Sequence, residues 1–124
     1  MDDLSIRRLE FVTIYTRDLE QARRFWVTVL GCKVLRESPK EFVQIEIAGV
    51  PICIDLLDPG ASGQSKNIGV LVDDLEKTTS ALRGKGLEVS SGFNPSSLER
   101  WAAVKDSDGN ELIFLTHDET MQQS

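Results

Sequence analysis

Phe11-Val12-Thr13-Ile14-Tyr15-Thr16-Arg17-Asp18-Leu19-Glu20-Gln21-Ala22-Arg23-Arg24-Phe25-Trp26 changes its periodicity midway. Residues 11–16 are β-branched and aromatic, which is strand chemistry. Asp18 stands where a helix N-cap belongs, and Leu19, Ala22, Phe25, Trp26, Val29 and Leu30 then recur at helical spacing. The pattern predicts an amphipathic helix over 19–30, ended by Gly31. Strands are predicted at 33–36, 42–47 and 51–57, the last two joined by Ala48-Gly49-Val50. The first half therefore reads β-α-β-β-β.

Turn formers fill 58–65, and then the order starts again. Residues 67–72 read as a strand, Asp74 as an N-cap, and 75–83 as a helix closed by Gly84 and Gly86. Strands follow at 87–90, 100–105 and 111–116, with a tight turn at Asp106-Ser107-Asp108-Gly109-Asn110. Asp18-Leu19-Glu20 reappears as Asp74-Leu75-Glu76 between a strand and a helix. That repetition marks a duplicated module. The chain is read as one 124-residue domain, module one about 9–58 and module two about 66–117.

Composition narrows the chemistry. Basic residues number 14 and acidic ones 20, a net charge of −6, which argues against a nucleic-acid partner. No stretch approaches the ~20 apolar residues of a membrane span. Met1-Asp2-Asp3 does not open a secretory leader, and Cys32 and Cys53 form no disulfide framework, so a reducing cytoplasm is expected. There is one histidine, His117, so one chain alone cannot build a site of two or three imidazoles.

The period of two sorts the strand residues by face. The more uniformly apolar set is Val12 and Ile14; Val43, Ile45 and Ile47; Ile52, Ile54 and Leu56; Ile68, Val70 and Val72; Leu112 and Phe114. It is expected to pack on the helices. The other face carries Phe11, Thr13, Tyr15, Phe42, Gln44, Glu46, Cys53, Asp55, Leu57, Asn67, Gly69, Leu71, Glu111, Ile113 and Leu115. Apolar walls with a few placed polar groups describe a ligand site. The same mixture also fits a second core layer or a dimer interface.

Residues 16–26, Val29-Leu30-Gly31-Cys32, Val72-Asp73-Asp74-Leu75-Glu76 and the Asp106–Asn110 turn, in this order, resemble the vicinal oxygen chelate superfamily. That superfamily contains glyoxalase I, the bleomycin-resistance proteins, extradiol dioxygenases and fosfomycin-resistance enzymes. The turn resembles its DPDGN motif, with Ser107 in place of proline. The resemblance implies an α+β fold of two βαβββ modules forming a curled mixed-sheet cup, helices on the outer face, assembled as a homodimer. It also places the family's four metal ligands at Phe11, Asp55, Asn67 and Ile113. Phe11 and Ile113 have no lone pair, Asn67 is a weak carbonyl donor, and only Asp55 is a good oxygen ligand. No metal or other cofactor is therefore expected.

Other chemistry is thin. Glu46 and Glu111 with Asp55 could form an oxygen site for Mg²⁺ or Mn²⁺, away from the family's ligand places. His117 reads as a solvated residue near the tail. A carboxylate beside Cys53 should raise its pKa rather than activate it. Trp26 reads as core. Trp101 opens a strand after a mobile loop at 94–99, and fits either closure over a site or a dimer contact. The expected ligand contacts are Phe11, Thr13, Tyr15, Phe42, Glu46, Asp55, Asn67, Trp101 and Ile113. The function expected is metal-free capture of an aromatic or cationic small organic molecule. The alternative is an atypical metal-dependent lyase or oxidoreductase of the glyoxalase or dioxygenase type.

Overall fold

The computed structural model describes residues 2–61 and 65–117, so residues 62–64 of the predicted connector lie outside the described residues. The chain divides into two compact units, Met1–Gln64 and Ser65–Ser124. Unit one has a short 3-10 turn at Asp2–Leu4, then β1 (Val12–Thr16), α1 (Leu19–Arg23), a π-helical segment (Arg24–Val29), β2 (Lys33–Ser38), β3 (Phe42–Ile47) and β4 (Val50–Leu56). Unit two has β5 (Asn67–Leu71), α2 (Leu75–Gly84), β6 (Ser90–Asn94), β7 (Glu99–Lys105) and β8 (Glu111–His117). The sheets run β1-β4-β3-β2 and β5-β8-β7-β6, each with its first two strands parallel and the rest antiparallel. The fold is α+β, two βαβββ modules. Among the described residues no helix is long and apolar enough to cross a membrane.

The repeated Asp-Leu-Glu has a mechanical reason. Asp18 Oδ1 accepts from the Gln21 amide at 3.2 Å, and Asp74 Oδ1 from the Lys77 amide at 3.0 Å, so each aspartate caps its helix. The Asp106–Asn110 turn fastens the second sheet. Asp106 Oδ1 accepts from the amides of Asp108 (2.9 Å) and Asn110 (2.8 Å), and Asp106 Oδ2 from Asn110 Nδ2 (3.0 Å). Asn110 Oδ1 in turn accepts from the Lys66 amide at 2.9 Å, tying the entry of β5 to that of β8.

Helix α1 packs on β3 and β4, and α2 on β7 and β8. Ile14, Val43, Ile45, Ile52, Ile54 and Leu112 are buried as the period of two predicts. Val12 and Leu56, assigned to the same set, are exposed at 40% and 39%. Each sits at an end of its strand, where the short α1 gives no cover.

Three expectations are corrected. The helix over 19–30 is α-helical only to Arg23; beyond it the Leu30 amide bonds to the Phe25 carbonyl, an i→i−5 link. Adjacent bulky rings followed by β-branched Val27, Thr28 and Val29 crowd a regular turn, and the wider one relieves them. The strand expected at 87–90 is β6 at Ser90–Asn94, and the loop at 94–99 reduces to the turn 95–98. Pairing with β7 overrides the turn-like composition of Ser-Ser-Gly-Phe-Asn. Trp101 is accordingly the third residue of β7, and His117 lies within β8, opposite Glu99.

Ala48 and Gly49 form a two-residue hairpin turn between paired Ile47 and Val50, with φ of 49° and 84°. Both values belong to a type I′ turn, where Asn-Gly is favoured and an alanine Cβ is strained. Ala48→Asn is expected to stabilise the fold by about 0.5–1 kcal/mol. A urea midpoint no higher than that of the parent would contradict the turn assignment.

Candidate functional site

In unit one, the sheet face turned away from α1 presents two cross-strand rows. One runs Thr13, Cys53, Gln44, Arg36, and the next Tyr15, Asp55, Phe42, Ser38. Asp55 thus stands between two aromatic neighbours, Tyr15 on β1 and Phe42 on β3. Tyr15 is 39% exposed, and Phe42 and Asp55 are half-buried. The Cys53 thiol donates to Asp55 Oδ1 at 3.1 Å. Burial pushes that thiol up, the Asp55 hydrogen bond and charge push it further, and Arg36 opposes them, leaving it at about 12. Cys53 is therefore a donor to the carboxylate and no nucleophile at neutral pH.

Arg36 was not among the expected contacts, and its place is set by an irregularity. The β2–β3 register shifts between Val34 and Arg36. The shift puts Val34 and Glu37 on the helix side, where Glu37 pairs with Arg23 of α1 at 2.9 Å, and puts Arg36 on the other face. Arg36 Nε donates to Gln44 Oε1 at 2.8 Å, and its guanidinium lies 5.6 Å from the Phe42 ring centroid. The ring face expected to receive a cation already stacks on one.

The other expected contacts of unit one are spread out. Phe11 lies before β1 and is 47% exposed. Thr13 pairs in register with Cys53. Glu46 pairs with Pro51 and Lys33, four residues along β3 from Phe42, which places it about 13 Å up the strand. That spacing corrects the notion that Glu46 and Asp55 could grip one ion, since cation–oxygen bonds are about 2.0–2.6 Å.

In unit two, the face turned away from α2 carries Gly69, Ile113, Ala103 and Ser90 in one row and Leu71, Leu115, Trp101 and Gly92 in the next. The Trp101 ring lies over Gly92. A Cβ added there would stand 2.7 Å from Trp101 Cζ2 and 2.9 Å from Cε2, so only glycine fits beneath the indole. Trp101 itself is half-buried, and Leu71 beside the strip is 66% exposed. Asn67 is exposed next to Glu111, which pairs with Lys105 at 3.9 Å.

The family's ligand positions do not fit a divalent ion. Phe11 offers a ring, Ile113 sits among Gly69 and Ala103, Asn67 offers one amide oxygen, and Asp55 already accepts a thiol proton. Among the described residues no three His, Cys, Asp or Glu side chains come together as a metal-holding group.

Paired βαβββ modules with an apolar and polar mixture on the helix-free sheet faces define a class, and sequence comparison gives the family. The family model described as Glyoxalase/Bleomycin resistance protein/Dioxygenase superfamily matches residues 8–114, and the chain belongs to that superfamily. No curated protein matches the chain. Among solved structures it is similar to a glyoxalase/bleomycin resistance protein/dioxygenase from Nocardioides, at 18% identity and TM-score 0.72, covering 94% of this chain and 88% of that one. It is similar to a lactoylglutathione lyase from Agrobacterium tumefaciens, at 17% identity and TM-score 0.72, covering 88% and 92%. It is also similar to TnmS3, an antibiotic-binding protein from Streptomyces sp. CB03234, at 22% identity and TM-score 0.72, covering 92% and 98%. At these identities the likeness concerns the fold.

Proposed function

We propose that the protein captures a small aromatic molecule on the helix-free sheet face of unit one, directs a cationic group of that molecule to Asp55, and needs no metal to do so. The row Tyr15, Asp55, Phe42 carries the reading, because it places a carboxylate between two rings on neighbouring strands. Rings supply contact area at small entropic cost, and the carboxylate supplies orientation. Phe42 stacks on Arg36, and Tyr15, 39% exposed, presents ring surface in the same row. Trp101, packed over Gly92 and half-buried, gives unit two an aromatic surface of its own. An antibiotic-binding protein of the same fold supports capture as a use of this architecture.

A planar aromatic cation such as acridine orange serves as the probe. Its fluorescence titration should give saturable binding that weakens at least about tenfold in Asp55→Asn, with unchanged far-UV circular dichroism. Equal affinity for parent and variant would mean that the carboxylate does not face the ligand. Stoichiometric Ni, Zn, Fe or Mn in the purified protein would overturn the metal-free reading and favour a lyase or oxidoreductase.

A further inference from the structure

A groove of about 510 Å³ in unit one is lined by Arg8, Leu9, Glu10, Leu35, Arg36, Gln44, Gly49, Val50 and Pro51, a size within the range of small-molecule sites. Its hydrocarbon comes from Leu9, Leu35 and Val50, exposed at 59%, 40% and 37%, and from Pro51. Isolated exposed leucines are ordinary, but here they converge on one concavity that also holds a fixed cation. The charge balance has a definite sign. Arg8 and Glu10 face each other at 3.1 Å and neutralise one another, which leaves Arg36 as the uncompensated charge of the groove.

Arg36 is held in place by two neighbours. Gln44, 6% exposed, spends its Oε1 on Arg36 Nε at 2.8 Å, and the Phe42 ring lies at 5.6 Å from the guanidinium. Among the described residues no carboxylate stands within ion-pair distance of it, in a chain of net charge −6. The Nη groups form the planar edge that accepts a carboxylate through two parallel hydrogen bonds, and Gln44 and Phe42 have already removed most of the side chain's freedom.

We infer that this groove binds an organic monocarboxylate with an aliphatic body, its carboxylate on Arg36 and its chain along Leu9, Leu35, Val50 and Pro51. The inference stands apart from the aromatic ligand at Asp55, since neither Asp55 nor Tyr15 lines the groove. Octanoate, octan-1-ol and octyltrimethylammonium share one chain and differ in the head group, so calorimetric titration with the three reads the head-group preference directly. Octanoate should bind tightest. Arg36→Gln should weaken octanoate by about ten- to a hundredfold and leave octan-1-ol unchanged. Gln44→Leu should weaken octanoate less than Arg36→Gln, because it frees the guanidinium without removing it. Octan-1-ol binding as tightly as octanoate, or an Arg36→Gln variant with parental affinity, would overturn the site. Loss of acridine orange binding in Asp55→Asn with octanoate binding intact separates the two sites; loss of both in Asp55→Asn would show that the groove is not distinct and would also overturn it.

Discussion

Trp26→Ala should lower the stability of the protein by about 3–5 kcal/mol, measured as the shift in free energy from urea unfolding followed by circular dichroism. Trp26 has no exposed surface, and its ring meets that of Phe25 edge to face, with centroids 5.1 Å apart and planes at 82°. Deleting the indole leaves a void in the core of unit one, beside Phe25 in the same π-helical segment. A domain of this size has about 5–15 kcal/mol in total, so a large part of the population would unfold on mild warming. Trp26→Phe keeps a ring in the space and should cost less than half as much. If the alanine variant lost under 1 kcal/mol, the residue would not be filling the core of unit one.

The same residue shows what a sequence conveys well. Helical spacing and the caps at Asp18 and Asp74 depend on nearest neighbours in the chain, so the helix, its core face and the duplication were all legible. The period of two likewise sorted β3, β4 and β8, whose residues are paired on both sides and must choose a face. Features set by partners distant in sequence were not legible. The displaced register at Leu35 turns Arg36 away from α1, and nothing in Lys33-Val34-Leu35-Arg36 announces it. Ser-Ser-Gly-Phe-Asn reads as loop until Trp101 of β7 is laid over Gly92. Asp55 was legible as a polar residue on a mixed face, while its aromatic flanks depend on two separate strand registers. The family's ligand places could be inspected for lone pairs directly from the residue types, and Phe11 and Ile113 have none.

Cys53 offers the second large effect, and its sign follows from the environment of Asp55. A thiol raised from its usual 9.0 to about 12 carries, at pH 8, about a thousandfold less thiolate than an ordinary cysteine. Iodoacetamide should therefore modify Cys53 in the folded protein some thousandfold more slowly than in urea, followed by peptide mass spectrometry. Cys32, raised by burial alone, should also lag. The folded state favours the neutral thiol, so the stabilisation is complete below pH 9 and is lost as pH rises from 9 towards 12. Asp55→Asn removes the second cause and leaves burial, which should speed labelling without restoring the unfolded rate. Equal labelling rates in the folded and unfolded protein would contradict the hydrogen bond itself. The two groups thereby constrain each other's chemistry. The thiol donates a hydrogen bond to Oδ1 and, held neutral, is no nucleophile, and in the proposed function Oδ2 receives a donor from the ligand. A carboxylate placed in this way would orient a molecule, and the neutral thiol beside it is not poised to attack one, which agrees with the proposed capture.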